Sequence, residues 1–292
     1  MPNPKSNNNC PKPLLVLTGQ YQNGKSTLLN CLLGGLFAME GKGLVTTKYN
    51  TRYSFGDCNM YRGGKDKTWH FFSPGVTLKE YEKNSTLEIC TYSPLLEHME
   101  LMDSPGSGAN DADDSVAEDA LKQADFVIFV VCKMLNDMEI SFMRKLTAAG
   151  KHYSVILNCI NDVSPTISTT NAMCRQIYAT LNNKNLLTNF VDLSKDHPVY
   201  PVNLLWAQCA LGYLPADEQA KKLRKVKNFI DLEEDNISPI ALLHASNFLP
   251  IRGILENIVT TFFNFTPSHK LDLMKAVSEN WTNELKNILE KE

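Results

Sequence analysis

Gly19-Gln-Tyr-Gln-Asn-Gly24-Lys25-Ser26 is the stretch on which the reading of this chain turns. It fits G-x-x-x-x-G-K-[ST], the pattern of a loop that cradles phosphates, at every fixed position. The flanks give the match its weight. Before it stands Leu14-Leu-Val-Leu-Thr18, an apolar run of buried-strand length. After it comes Thr27-Leu-Leu-Asn-Cys-Leu-Leu33, apolar at helical spacing and stopped by Gly34-Gly35. In a strand–loop–helix of this kind the loop N–H groups turn inward, and the helix start adds its positive dipole end. Gly19, Gln22, Asn23, Gly24, Lys25, Ser26 and Thr27 are therefore the candidate phosphate contacts. Lys25 is expected to reach the β- and γ-phosphates, and Ser26 to hold Mg²⁺.

Downstream, Leu44 to Phe55 has alternating, β-branched character and reads as a loop entering a strand. Residues 57–76 suggest an exposed turn and one short strand, with Trp69, Phe71 and Phe72 reading as a buried strand side rather than an exposed partner site. Thr77 to Lys83 reads as a short helix capped by Thr77. Two strands follow, Leu87–Tyr92 and His98–Met102, joined by a turn at Pro94. The second ends in Asp103-Ser-Pro-Gly106 and a flexible acidic stretch, Ser107 to Asp114. A carboxylate at a strand tip followed by a glycine suits Mg²⁺ waters and a γ-phosphate, so Asp103 and Gly106 join the candidates. Strands at Phe126–Val131, Tyr153–Leu157 and Val199–Asn203 alternate with helical spacing at Val116–Ala124, Met138–Leu146 and Thr169–Leu181. This order implies an α/β fold with a mainly parallel sheet, helices on both faces, and ligands at the strand C-termini. Asn158 and Asn203 both fall there, where one nucleotide would touch them together with the loop.

Composition excludes several classes. The 292 residues, 43% of them hydrophobic, suffice for a large core, and the net charge of −3 marks no nucleic-acid binder. The eight cysteines hold no C-x-x-C pair, and Cys31, Cys132 and Cys159 sit in apolar runs. They read as buried free thiols of a cytoplasmic protein. Met1 to Pro13 is polar, Pro- and Asn-rich, and reads as a disordered leader without signal-peptide character. Phe126 to Cys132 is too short to span a bilayer. Lys221 to Lys227, the one basic cluster, reads as the solvated face of a surface helix rather than a membrane or RNA contact. The six histidines show no metal-ligand spacing.

The order of these motifs resembles the translation-factor class of GTPases, and within it the head of dynamin-like proteins, the bacterial ones especially. The resemblance rests on Tyr21-Gln22 in the phosphate loop, Gly43-Leu-Val-Thr46-Thr47, Asp103-Ser-Pro-Gly106, Ala124–Val131 with Met138–Phe142, and Ser246–Leu255. It implies a P-loop GTPase fold over residues 14–265, after a leader 1–13, and GTP hydrolysis to GDP with Mg²⁺. It also implies that Thr46 binds the metal and holds the water, with Thr47 as the alternative register. Gln22 would face the β–γ bridge, and Gln22, Lys25 and Thr46 are the catalytic candidates. Ser26, Thr46 and Asp103 are the metal candidates.

Three departures stand out. The family's N-K-x-D segment reads Asn158-Cys159-Ile160-Asn161-Asp162, with cysteine in the lysine slot and asparagine in the carboxylate slot. Asn161 would set donor against donor at a guanine edge, whereas a shift by one lets Asp162 read it. Ser107 stands where other GTPases carry a glutamine that positions water. Lastly, the family's heads carry a long helical stalk, whereas here residues 266–292 read as one amphipathic helix. The implied partners are GTP or GDP, a second copy paired across the nucleotide, and a stalk-bearing partner chain or membrane surface. Direct nucleic-acid contact has no support in the sequence. An Era-like ribosome-associated GTPase and a nucleotide-gated binding module with little turnover are the alternatives.

Overall fold

The computed structural model describes residues 12–38, 49–63, 66–74, 86–106, 111–159, 164–227, 238–262 and 286. Its strands are β1 (Leu14–Thr18), β2 (Thr51–Phe55), β3 (Met60–Gly63), β4 (Asp66–Phe71), β5 (Leu87–Thr91), β6 (Glu100–Asp103), β7 (Phe126–Val131), β8 (His152–Asn158) and β9 (Tyr200–Val202). The helices are α1 (Lys25–Leu33), α2 (Pro94–His98), α3 (Asp111–Gln123), α4 (Asp137–Ala148), α5 (Ser168–Asn183), α6 (Leu204–Leu211), α7 (Ala216–Lys227), α8 (Pro239–Ala245) and α9 (Leu249–Phe262).

All nine strands form one sheet in the order β4-β3-β5-β2-β6-β1-β7-β8-β9. From β6 to β9 every neighbour is parallel. Beyond β6 the sheet turns mixed: β2 runs antiparallel to β6 and parallel to β5, and the β3–β4 hairpin is antiparallel throughout. The alternation of strand side chains splits the core in two. Phe126, Ile128 and Val130 face one layer with α1, α2, α6, α8 and α9. Val127, Phe129 and Val131 face the other, with α3, α4 and α5. Because β1 and β7 are covered on both sides they are buried at every position, and all but Thr18 are apolar.

The structure corrects several local expectations. Residues 57–76 hold two strands and not one, since Arg62 pairs with Glu88 of β5 and carries β3 into the sheet. The Pro94 turn is the helix α2, with Pro94 in its first turn. The acidic stretch is helical from Asp111 onward. Phe71 is 75% exposed: it shares the outer face of β4 with Trp69, which lies under the Arg62 guanidinium at 4.7 Å, while Phe72 packs toward the core. Cys132 is only half-buried; Cys31 and Cys159 are buried. On α7, Lys221, Arg224 and Lys225 are exposed, but Lys222 turns inward to Gln208 Oε1 at 2.5 Å. Among the described residues no helix is long and apolar enough to cross a membrane. The helix expected at 77–83 and the helix expected over 266–292 lie outside the described residues, Lys286 excepted, as do residues 1–11 of the leader.

Candidate phosphate-loop site

The loop between β1 and α1 is held from below. Gly19 has φ +143, and a Cβ added there would lie 2.2 Å from the Val130 carbonyl oxygen. Glycine is what lets the loop pass this close to β7. Gln22 takes φ 66 at the exposed apex, a backbone region that costs a side-chain-bearing residue about 1 kcal/mol. Asn23 points inward and is 3% exposed, and Thr27 is half-buried in the first turn of α1.

Lys25 opens α1 and folds back over the loop. Its Nζ donates to the carbonyls of Gly19 and Gln20, both at 3.1 Å. Burial lowers its pKa below the usual lysine range, and the nearby Asp103 charge works against that. One residue on, Ser26 Oγ donates to Asp103 Oδ2 at 2.7 Å. Asp103 is 1% exposed at the C-terminal tip of β6, opposite Thr51 of β2. A hydroxyl and a carboxylate beside a lysine are hard oxygen donors of the kind Mg²⁺ takes, and Mg²⁺ needs few of them because it keeps waters and phosphate oxygens. The donor set therefore fits this metal. Among the described residues there is no cluster of three or more His, Cys, Asp or Glu that would suggest another.

Gly106 closes the site on one side: a Cβ there would meet the Tyr21 Cα at 2.6 Å and its N at 2.7 Å. Asn158, at the end of β8, closes the other. Its Nδ2 donates to the Asn23 carbonyl at 3.0 Å, and its Oδ1 accepts the Leu204 N–H at 3.2 Å. Asn158 thus ties the phosphate loop to the start of α6.

Asn203 and Cys159 are both buried. Asn203 is fully buried and caps α6, its Oδ1 accepting the Trp206 N–H at 3.1 Å while its own N–H donates to the Ser246 carbonyl. Cys159, in the slot of the family's lysine, is 5% exposed. Its N–H extends the β8–β9 ladder to the Val202 carbonyl at 2.7 Å, so alternation turns the thiol into the layer beneath α5, where burial pushes its pKa up to about 12. Thr46, Thr47, Asn161 and Asp162 lie outside the described residues.

Sequence reading missed the asparagines that anchor this region. Asn30, fully buried on α1, accepts the N–H groups of Phe37 and Ala38 and donates to the Ala38 carbonyl. Asn50 donates to the Val116 carbonyl of α3 at 2.8 Å. A buried asparagine inside an apolar helix run was the available signal for Asn30.

Fold and site together define a P-loop nucleotide-binding domain. Residues 15–161 match the family described as 50S ribosome-binding GTPase, and the chain belongs to that family. A probable transmembrane GTPase of Arabidopsis thaliana, FZO-like and chloroplastic, is 24% identical over 148 residues, covering 50% of this chain and 15% of the relative. A chain of an oligomerised bacterial dynamin pair, reported to provide a mechanism for long-range sensing and tethering of membranes, superposes with a TM-score of 0.56 at 16% identity. That match covers 96% of this chain and 42% of the dynamin chain, and it is a likeness of fold.

Proposed function

We propose that this chain hydrolyses GTP to GDP and phosphate as a dynamin-like head, with a GTPase unit over residues 14–265 and an amphipathic helix over 266–292. The observation that carries the reading is the Ser26–Asp103 contact beside the buried ammonium of Lys25. In phosphoryl transfer the protein positions the reactants and neutralises charge more than it makes bonds. Lys25 would leave its two loop carbonyls for the β- and γ-phosphate oxygens. The N–H groups from Gly19 to Thr27 would line the phosphate chain. Ser26, Asp103 and Thr46 would hold Mg²⁺, which when bound supplies charge neutralisation between the β- and γ-phosphates. Gly106 would meet the γ-phosphate, and Gln22 at the loop apex would face the β–γ bridge. Asn158 would support the base side of the site, with Asp162 reading guanine.

The test is turnover in the presence of Mg²⁺ with GTP, ATP and XTP in competition. GTP should be hydrolysed and ATP should not compete. Thr46→Ala should bind nucleotide and turn over at least about a hundredfold more slowly, the range for losing one transition-state contact. Equal competition by ATP, or wild-type turnover in both Thr46→Ala and Thr47→Ala, overturns the reading.

The partner proposed is a membrane surface reached through a second copy or a stalk-bearing chain. Membrane association in the names of both relatives supports this over the ribosome in the family description. GTP-dependent flotation with liposomes is expected; co-sedimentation with 50S subunits and no flotation reverses the choice.

A further inference from the structure

Beneath the phosphate loop lies a carboxylate that the proposed hydrolysis does not use. Glu139, on the first turn of α4, is 1% exposed. Its Oε2 accepts the backbone N–H of Asn136 at 3.1 Å, and the Asn136 side chain returns a bond from the Glu139 N–H, a reciprocal helix cap. Its Oε1 accepts Asn23 Nδ2 from the phosphate loop at 3.3 Å. The same Nδ2 also donates to the Val130 carbonyl at 2.9 Å, and Asn23 Oδ1 accepts the Cys132 thiol at 3.0 Å. The side chain of a phosphate-loop residue is thus held by three groups, all from the segment between the end of β7 and the start of α4.

We propose that Glu139 is a positioning residue for nucleotide binding: as a carboxylate it fixes Asn23, and through Asn23 the register of the phosphate loop. The inference rests on the phosphate-loop reading above. The cap alone needs one acceptor, and a glutamine would serve it. Here both carboxyl oxygens face N–H donors. The ionised form accepts at each without a competing donor, whereas a carboxylic acid carries an O–H on one oxygen and a glutamine puts an NH₂ in place of one. Burial pushes the Glu139 carboxyl above the usual carboxylate range, while the bonds from Asn136 and Asn23 and the charge of Lys133 pull it back. The Cys132 thiol beside it is raised by burial and stays a neutral donor. The sign follows. At a pH above the raised pKa both oxygens accept and the loop is held. As pH falls through that pKa, one carboxyl oxygen gains an O–H and the Glu139 share of the hold on Asn23 weakens, while Val130 and Cys132 still contact it.

The experiment is calorimetric titration of the full chain with GDP and Mg²⁺ over a pH series, alongside thermal unfolding. Glu139→Gln should weaken GDP binding about tenfold, the effect of one buried hydrogen bond to a charged group. Asn136→Ala, which removes only the returned half of the cap, should lower the unfolding temperature yet keep affinity within about twofold. On an Asn23→Ala background, Glu139→Gln should change affinity no further. The wild type should show an acid limb in affinity that Glu139→Gln and Asn23→Ala both lack. Wild-type affinity in Glu139→Gln, or full additivity in the double variant, overturns the proposal. Should Glu139→Gln not fold, the wild-type and Asn23→Ala pH profiles decide alone, and identical profiles overturn it. A wild-type chain that binds no GDP overturns the nucleotide reading itself, and this inference with it.

Discussion

Lys25→Ala is expected to lose at least about a hundredfold in GTP affinity, since each charge-assisted bond to a phosphate oxygen contributes about 1.5–3 kcal/mol and two would go. The fold should survive. The ammonium lies over the loop on the carbonyls of Gly19 and Gln20 and not among apolar side chains of the core. What the alanine removes is a buried cation whose charged form burial disfavours and a phosphate would favour. Calorimetric titration reads the affinity, and a melt without nucleotide reads the fold. Unchanged affinity would end the assignment of this loop to phosphates.

Gly19→Ala should act through the fold as well as the ligand. The new methyl carbon would sit 2.2 Å from the Val130 carbonyl oxygen and 3.2 Å from its carbon, at a φ of +143. Those are backbone atoms of β7, whose ladder with β1 runs from Leu15↔Phe126 to Thr18↔Phe129. Neither side can yield without tearing parallel pairing in the middle of the sheet. We expect a loss of about 3 kcal/mol or more, the upper range for overpacking a core. In a domain of this size that lowers the unfolding temperature by roughly 10 °C. GDP should no longer raise the melting temperature, because the strand-to-loop junction is displaced. A variant that melts and binds like the wild type would show that β7 does not press on the loop.

These two positions were legible in the sequence for a common reason. The glycine, the lysine and the serine act within one short loop, and their spacing sets the local backbone whatever the rest of the chain does. The strands β1 and β7 were legible because burial on both faces leaves an apolar run, and β8 because Val155-Ile-Leu157 keeps a shorter one. At the mixed side of the sheet the signal failed. Strand β3 is short and both β3 and β4 are half-polar, and Arg62 sits in a strand where Glu88 and Trp69 meet it. Phe71 reads as buried by composition, but β4 is an edge strand and leaves the ring exposed.

The sequence by itself determined the phosphate loop, the strand-tip carboxylate Asp103, the alternating α/β order and the family resemblance. Each depends on residues close together in the chain or on the period of a single element. Only the tertiary structure decided that Ser26 meets Asp103, 77 residues away, and that Asn158 holds the loop from 135 residues away. It alone turned Cys159 inward, made Asn203 the cap of α6 and set Glu139 beneath Asn23, 116 residues apart. A hydrogen bond between distant residues leaves no period in the sequence. It exists because parallel β-strands must return through crossover helices, and that return brings the C-terminal ends of β1, β6, β7 and β8 to one edge of the sheet.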